Sequence, residues 1–145
     1  MIISFKAAKE TDVKQIIDLC NECFSENTSY DYALRVYNET KNDPNNIYII
    51  GTIDDKIIAH AKITIIKTMY EDMNTYAILN HVCVKKEYRR LHIATKMLDV
   101  ITKICTDRGV KTLELWSKNI RTAAHSCYKK YGFQLADAGF FSKKI

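Results

Sequence analysis

A single proline and four glycines punctuate the 145 residues of this chain. That scarcity excludes a collagenous, linker-rich or disordered protein, which would need those residues in bulk and could not reach the 47% apolar content found here. Long hydrophobic runs are also missing. None approaches the ~20 residues of a membrane-spanning helix, and the start Met1-Ile2-Ile3-Ser4-Phe5-Lys6 has neither the basic region nor the apolar stretch of a secretion signal. The sequence therefore predicts a cytoplasmic protein without membrane partners. Five cysteines, Cys20, Cys23, Cys83, Cys105 and Cys127, are odd in number and scattered through apolar patterns. They read as reduced core thiols rather than a disulfide framework. Cys20-x-x-Cys23 is half of a zinc motif whose second half does not occur at metal spacing, so no metal is expected.

What is present suits one folding unit, residues 1–145. Basic residues outnumber acidic ones by 22 to 17, giving +5. That excess favours anionic small molecules and falls short of the dense basic stripe of a nucleic-acid binder. Hydrophobic period and turn residues alternate strands with helices. Ile2 to Ala7 reads as a strand, and Thr11 or Asp12 caps a helix carrying Val13, Ile16, Ile17, Leu19, Cys20 and Phe24. A second helix covers Tyr30 to Thr40. Strands follow at Ile47 to Ile53, Lys56 to Thr68 and Thr75 to Val84, the first two joined as a hairpin at Asp54-Asp55. Ile93 to Thr106 forms a helix with one apolar stripe, Lys111 to Trp116 a strand with Trp116 in the core, and Ile120 to Tyr131 a helix closed by Gly132. Phe133 to the end reads as two short strands around Gly139. The predicted class is α/β, with a mixed and mostly antiparallel sheet flanked by helices.

Two segments carry chemistry. In Val82-Cys83-Val84-Lys85-Lys86-Glu87-Tyr88-Arg89-Arg90-Leu91-His92-Ile93-Ala94-Thr95 a buried strand runs through a basic loop into a helix start. Unpaired N–H groups and the positive end of the helix dipole suit a pyrophosphate there, with Arg89 and Arg90 adding charge-assisted contacts. On these residues alone a solvated turn with two surface arginines is an equal reading. The second segment, Arg121 to Phe133, is a short helix with small residues on one side, ending at Gly132-Phe133.

Together these segments resemble the GCN5-related N-acetyltransferases (GNAT), which move an acetyl group from acetyl-CoA to an amine. Arg89-Arg90-Leu91-His92-Ile93-Ala94 is similar to the family's Arg/Gln-x-x-Gly-x-Gly/Ala loop, and Ala124 to Phe133 to its Ala-x-x-x-Tyr-x-x-x-Gly-Phe close. The element order resembles the family's over nearly the whole chain. His92 departs from the pattern by standing where glycine is usual. That departure supports a second reading, a CoA-binding sensor or interaction module with the same fold and weak turnover.

The resemblance implies a sheet splayed at an acetyl-CoA cleft, with acetyl-CoA as co-substrate and an amine acceptor as partner. Val82, Cys83 and Val84 would pair with its pantetheine arm and offer an oxyanion donor. Arg89, Arg90, Leu91, His92, Ile93, Ala94 and Thr95 would surround the pyrophosphate, and Asn119 and Arg121 would hold the pantetheine or adenosine end. Tyr128 would contact the cofactor and protonate the leaving sulfur, since phenol and thiol reference pKa values lie within about two units. His81 is the candidate base, a neutral imidazole with a reference pKa near ~6.5. Should it face away, Asn80 would order a relaying water, and Glu114 is a further candidate. Tyr30, Tyr32 and Tyr37 suit either core packing or a substrate wall. The acids Glu26, Asp31 and Glu39 read as solvated charges that would also suit a cationic amine. His60 and His125 show no partners in the sequence and take no role. The resemblance is also compatible with a homodimer.

Overall fold

The computed structural model describes residues 2–145. Five strands, β1 (Ser4–Ala7), β2 (Asn46–Ile53), β3 (Lys56–Ile66), β4 (Tyr76–Val84) and β5 (Thr112–Leu115), lie side by side in chain order as one open sheet. The first four run antiparallel, and β5 pairs parallel with β4. Four helices accompany them: α1 (Val13–Phe24), α2 (Tyr30–Thr40), α3 (Ile93–Asp107) and α4 (Thr122–Tyr131). The expected mixed sheet flanked by helices is therefore what the chain forms.

Local chemistry explains the elements. Asp54 and Asp55 both take positive φ, 49° and 63°, as a two-residue hairpin loop matched to strand twist requires. The apolar stripe of α3 buries Ile93, Met97, Leu98, Ile101 and Cys105 against β3 and β4. Ile16, Leu19 and Cys20 of α1 pack with Ile50, Ile57 and Cys83 in a second cluster. A β-carbon on Gly51 would come within 2.8 Å of the Phe5 ring, so glycine lets β1 lie close over β2.

Three expectations need correction. Asp12 precedes α1, but its carboxylate accepts the Lys9 N–H at 3.0 Å and does not cap the helix. The strands expected from Phe133 onward do not form. The Phe133 N–H turns back to the Tyr128 carbonyl at 2.9 Å, closing α4, and the residues after it run without pairing to β5, the four-residue edge strand. Trp116 is 60% exposed and packs against the exposed Phe140 with ring centres 4.4 Å apart, outside the core. Alternation of apolar residues signals a strand only where a neighbouring strand exists to complete it.

Candidate functional site

The site begins where the sheet parts. β4 pairs with β5 only from Tyr76 to Leu79, opposite Thr112 to Leu115, and then continues alone on that side to Val84. On its other side the register with β3 shifts between His60 and Lys62, so β4 carries one extra residue. That bulge centres on His81, whose φ is 51°. It reverses the alternation of the strand: Ala77 and Leu79 face the core beneath α3, and after the bulge Val82 and Val84 return to it while Cys83 joins the α1 cluster. The unpaired edge from Asn80 to Val84 thus offers backbone groups to an extended partner. Asn80 is exposed.

Beyond β4 a single helical turn, Lys86–Tyr88, leads into the basic loop. Arg90 and His92 both adopt left-handed backbone, with φ 63° and 61°. The N–H groups of Ile93, Ala94 and Thr95 precede the first helical bond, Lys96 N–H to the His92 carbonyl at 3.1 Å, and no side chain caps them. These donors and the helix dipole face the loop. Leu91, His92 and Arg90 are exposed around them. Arg89 turns inward: its Nε donates to the Val84 carbonyl at 3.0 Å, and its guanidinium reaches the Cys23 sulfur at 3.7 Å. It braces the loop against α1, while Arg90 has no side-chain partner among the described residues.

Because His92 pays the left-handed penalty of an L-residue without a compensating cap bond, His92→Gly should raise unfolding stability by about 1 kcal/mol. Urea titration of the two proteins checks this, with His92→Ala expected to show no such gain.

On the far bank, Asn119 lies in an exposed turn and Arg121 starts α4. Arg121 donates to the Cys23 carbonyl at 2.8 Å and sits 4.2 Å above the Phe24 ring, tying α4 to the end of α1. Tyr128 packs edge-on against Phe133, and burial pushes its phenol up to about 12, with Arg121 opposing. Such a group stays protonated at any ordinary pH. Glu114 is exposed on β5 and has no side-chain partner among the described residues.

His81 is brought to Glu26, which follows α1, at 2.9 Å from Nε2, and its ring meets the edge of Phe24 at 4.9 Å. Glu26, which reads from the sequence as a solvated charge that would also suit a cationic amine, is paired here with an imidazole. Fifty-five positions separate the pair, and no local pattern announces it. An ionised carboxylate can only accept, so Nε2 is the donor of this pair and Nδ1 is left outside it. Both residues border a cavity of about 200 Å³ between α1, α2 and the sheet, which Tyr32 and Tyr37 also line. Tyr30 does not. His60, given no role by the sequence, is buried in β3, bonds the Ile49 carbonyl through Nδ1 at 2.9 Å and lies parallel to Tyr48. Three thiols, Cys20, Cys23 and Cys83, gather beneath the bulge. A hydrogen bond from Cys83, then the Arg89 guanidinium, pull the Cys23 thiol below its ordinary range. Among the described residues no three His, Cys, Asp or Glu side chains are arranged to hold a metal ion.

Comparison with known proteins bears on the family and the fold. A family model described as "Acetyltransferase (GNAT) family" matches residues 13–133. A probable N-acetyltransferase, camello, from Xenopus tropicalis is 27% identical over 90 residues, 62% of this chain, and the match spans 39% of that relative's length. Among solved structures, a transcriptional regulator from Bacillus halodurans C-125 superposes with a TM-score of 0.90 at 18% identity, covering 99% of this chain and 100% of that one. A predicted acetyltransferase with acetyl-CoA from Clostridium acetobutylicum gives 0.81 at 20% identity, covering 98% and 96%. At such identities these structures speak for the fold.

Proposed function

Since the chain belongs to the acetyltransferase (GNAT) family, we propose that it moves the acetyl group of acetyl-CoA to a primary amine by direct attack in a ternary complex. The observation that carries this is the continuous path from the unpaired edge of β4, Asn80 to Val84, to the uncapped start of α3. An extended pantetheine arm fits such an edge, and a pyrophosphate fits the N–H groups of Ile93, Ala94 and Thr95 with Arg90 alongside.

In the proposed reaction, the edge N–H groups near Val82 to Val84 donate to the thioester oxygen as charge grows on it. Nδ1 of His81, held by Glu26, takes the proton from the acceptor nitrogen. A nitrogen–carbon bond forms, the carbon–sulfur bond breaks, and the sulfur leaves with its electron pair toward Tyr128. A phenol held near 12 is a weaker acid than a thiol of reference pKa ~8.5, so its main contribution is a hydrogen bond that steadies the departing thiolate. The sulfur's proton then comes from water through the open cleft. This revises the closer match of phenol and thiol that reference values suggest. Arg121, held by the Cys23 carbonyl and over Phe24 beside His81, would border the thioester end of the arm, and Asn119 would lie in the turn before it.

Calorimetry with acetyl-CoA and thiol release in the presence of amines test the reading. Tyr128→Phe should lower kcat about tenfold and leave acetyl-CoA affinity unchanged, because the hydrogen bond matters most as the sulfur departs. Unchanged turnover would remove Tyr128 from the reaction. Tight acetyl-CoA binding without thiol release from any amine would favour the sensor that His92 first suggested.

A further inference from the structure

The cavity beside His81 is walled by Val13, Ile16, Ile17, Tyr32, Val36 and Tyr37, and its interior is poor in free hydrogen-bonding groups. Three of the polar tips around it are already engaged. Tyr37 donates its hydroxyl to the Ala8 carbonyl at 3.1 Å, Tyr48 shares a hydrogen bond with Thr40 at 2.9 Å, and His60 is held by the Ile49 carbonyl. What these residues turn toward the space is ring face and hydrocarbon. Charge is confined to two places, the His81–Glu26 pair and Lys62, which makes no ion pair among the described residues; the hydroxyls of Thr28 and Tyr32 add neutral polar groups to the lining.

We propose that the acceptor is a monoamine with a compact apolar body, a branched alkyl or aryl group seated between α1 and α2 with its nitrogen at His81. This rests on the acetyl-transfer reading above and deepens it. A polyhydroxylated amine entering the cavity would give up hydrogen bonds to water and find few in return. A polyamine or aminoglycoside would carry further positive charge toward Lys62, and Glu26, the one acid lining the cavity, is already bound to His81. An apolar body loses nothing by desolvation and gains burial against the tyrosine rings.

The test is thiol release from acetyl-CoA by the unaltered protein with isoamylamine and 2-phenylethylamine on one side, and glucosamine, spermidine and kanamycin on the other. The apolar monoamines should lead in kcat/KM by about tenfold or more. Val36→Phe, which narrows the cavity, should raise KM for 2-phenylethylamine by about tenfold and leave acetyl-CoA affinity unchanged. Lys62→Met should improve spermidine relative to isoamylamine, and it keeps the question open to measurement if the larger side chain perturbs folding. A polar or polycationic amine that equals or leads the apolar ones overturns the inference while the acetyl-transfer reading stands. Absence of release with every amine overturns it as well, and calorimetry with acetyl-CoA then shows whether cofactor binding has failed too.

Discussion

His81→Ala is expected to lower kcat by roughly 100-fold or more, in keeping with the contribution of a positioned base, while acetyl-CoA binding stays intact. The expectation follows from the acceptor's charge. A primary alkylamine is largely ammonium at neutral pH, and its nitrogen cannot attack until a proton has left. The imidazole lines the cavity from the bulge of β4, on the stretch of strand that has parted from β5, within reach of both places the reaction needs. Removing the ring should therefore lower kcat and leave the affinity for acetyl-CoA as it was. Added imidazole should restore part of the activity, because the alanine leaves space for it. Glu26→Gln should act in the same direction more weakly, by about tenfold, since an amide can still contact the ring but no longer fixes which nitrogen carries hydrogen. Its signature is a lowered kcat at unchanged acetyl-CoA affinity, with the activity kept by Glu26→Asp to a greater degree. An alanine variant of full activity would exclude His81 as base and shift attention to a water ordered by Asn80.

How far the sequence foretold this arrangement depends on the range of each interaction. Helices α1 and α3 were legible because their apolar positions recur within a few residues, and the Asp54-Asp55 turn because its chemistry is local. The loop from Arg89 to Thr95 was legible for the same reason, although its pattern did not show that Arg89 would fold inward onto Val84. The His81–Glu26 pair was not, because it depends on α1 being packed across β4 and on a left-handed residue inside a strand. Neither leaves a mark in hydrophobic periodicity. The tail after Gly132 failed in the opposite way: Leu135, Phe140 and Phe141 suggest strands, yet all three are exposed because nothing lies beside them to pair with. Trp116 went wrong with them, since its ring covers Phe140 at the surface.

Acidification should destabilise the fold by on the order of 3 kcal/mol between pH 7 and pH 4 through His60 alone. The ring lies 3% exposed in the middle of β3, under Tyr48, and burial drives its pKa down to about 4 against the opposing hydrogen bond to Ile49. The sign follows from the two states. Above pH ~6.5 the imidazole is neutral whether the chain is folded or not, and it costs nothing. As the pH falls from there toward 4, the unfolded chain binds a proton that the folded chain refuses, so unfolding gains with each step. Below 4 both states are protonated and the loss levels off. His60→Leu separates this from the exposed carboxylates, which titrate alike in both proteins. The leucine variant should be less stable at pH 7 by about 1 kcal/mol for the hydrogen bond it lacks, and should pass the parent by about 1 kcal/mol at pH 4.5 in urea titrations. Parallel pH dependences for the two would mean that His60 is not the buried neutral group on which this argument depends. The same proton has a consequence for the cavity: a charged His60 would stand among its lining beside Lys62 and His81, so acid that loosens the fold should also repel the ammonium form of any acceptor.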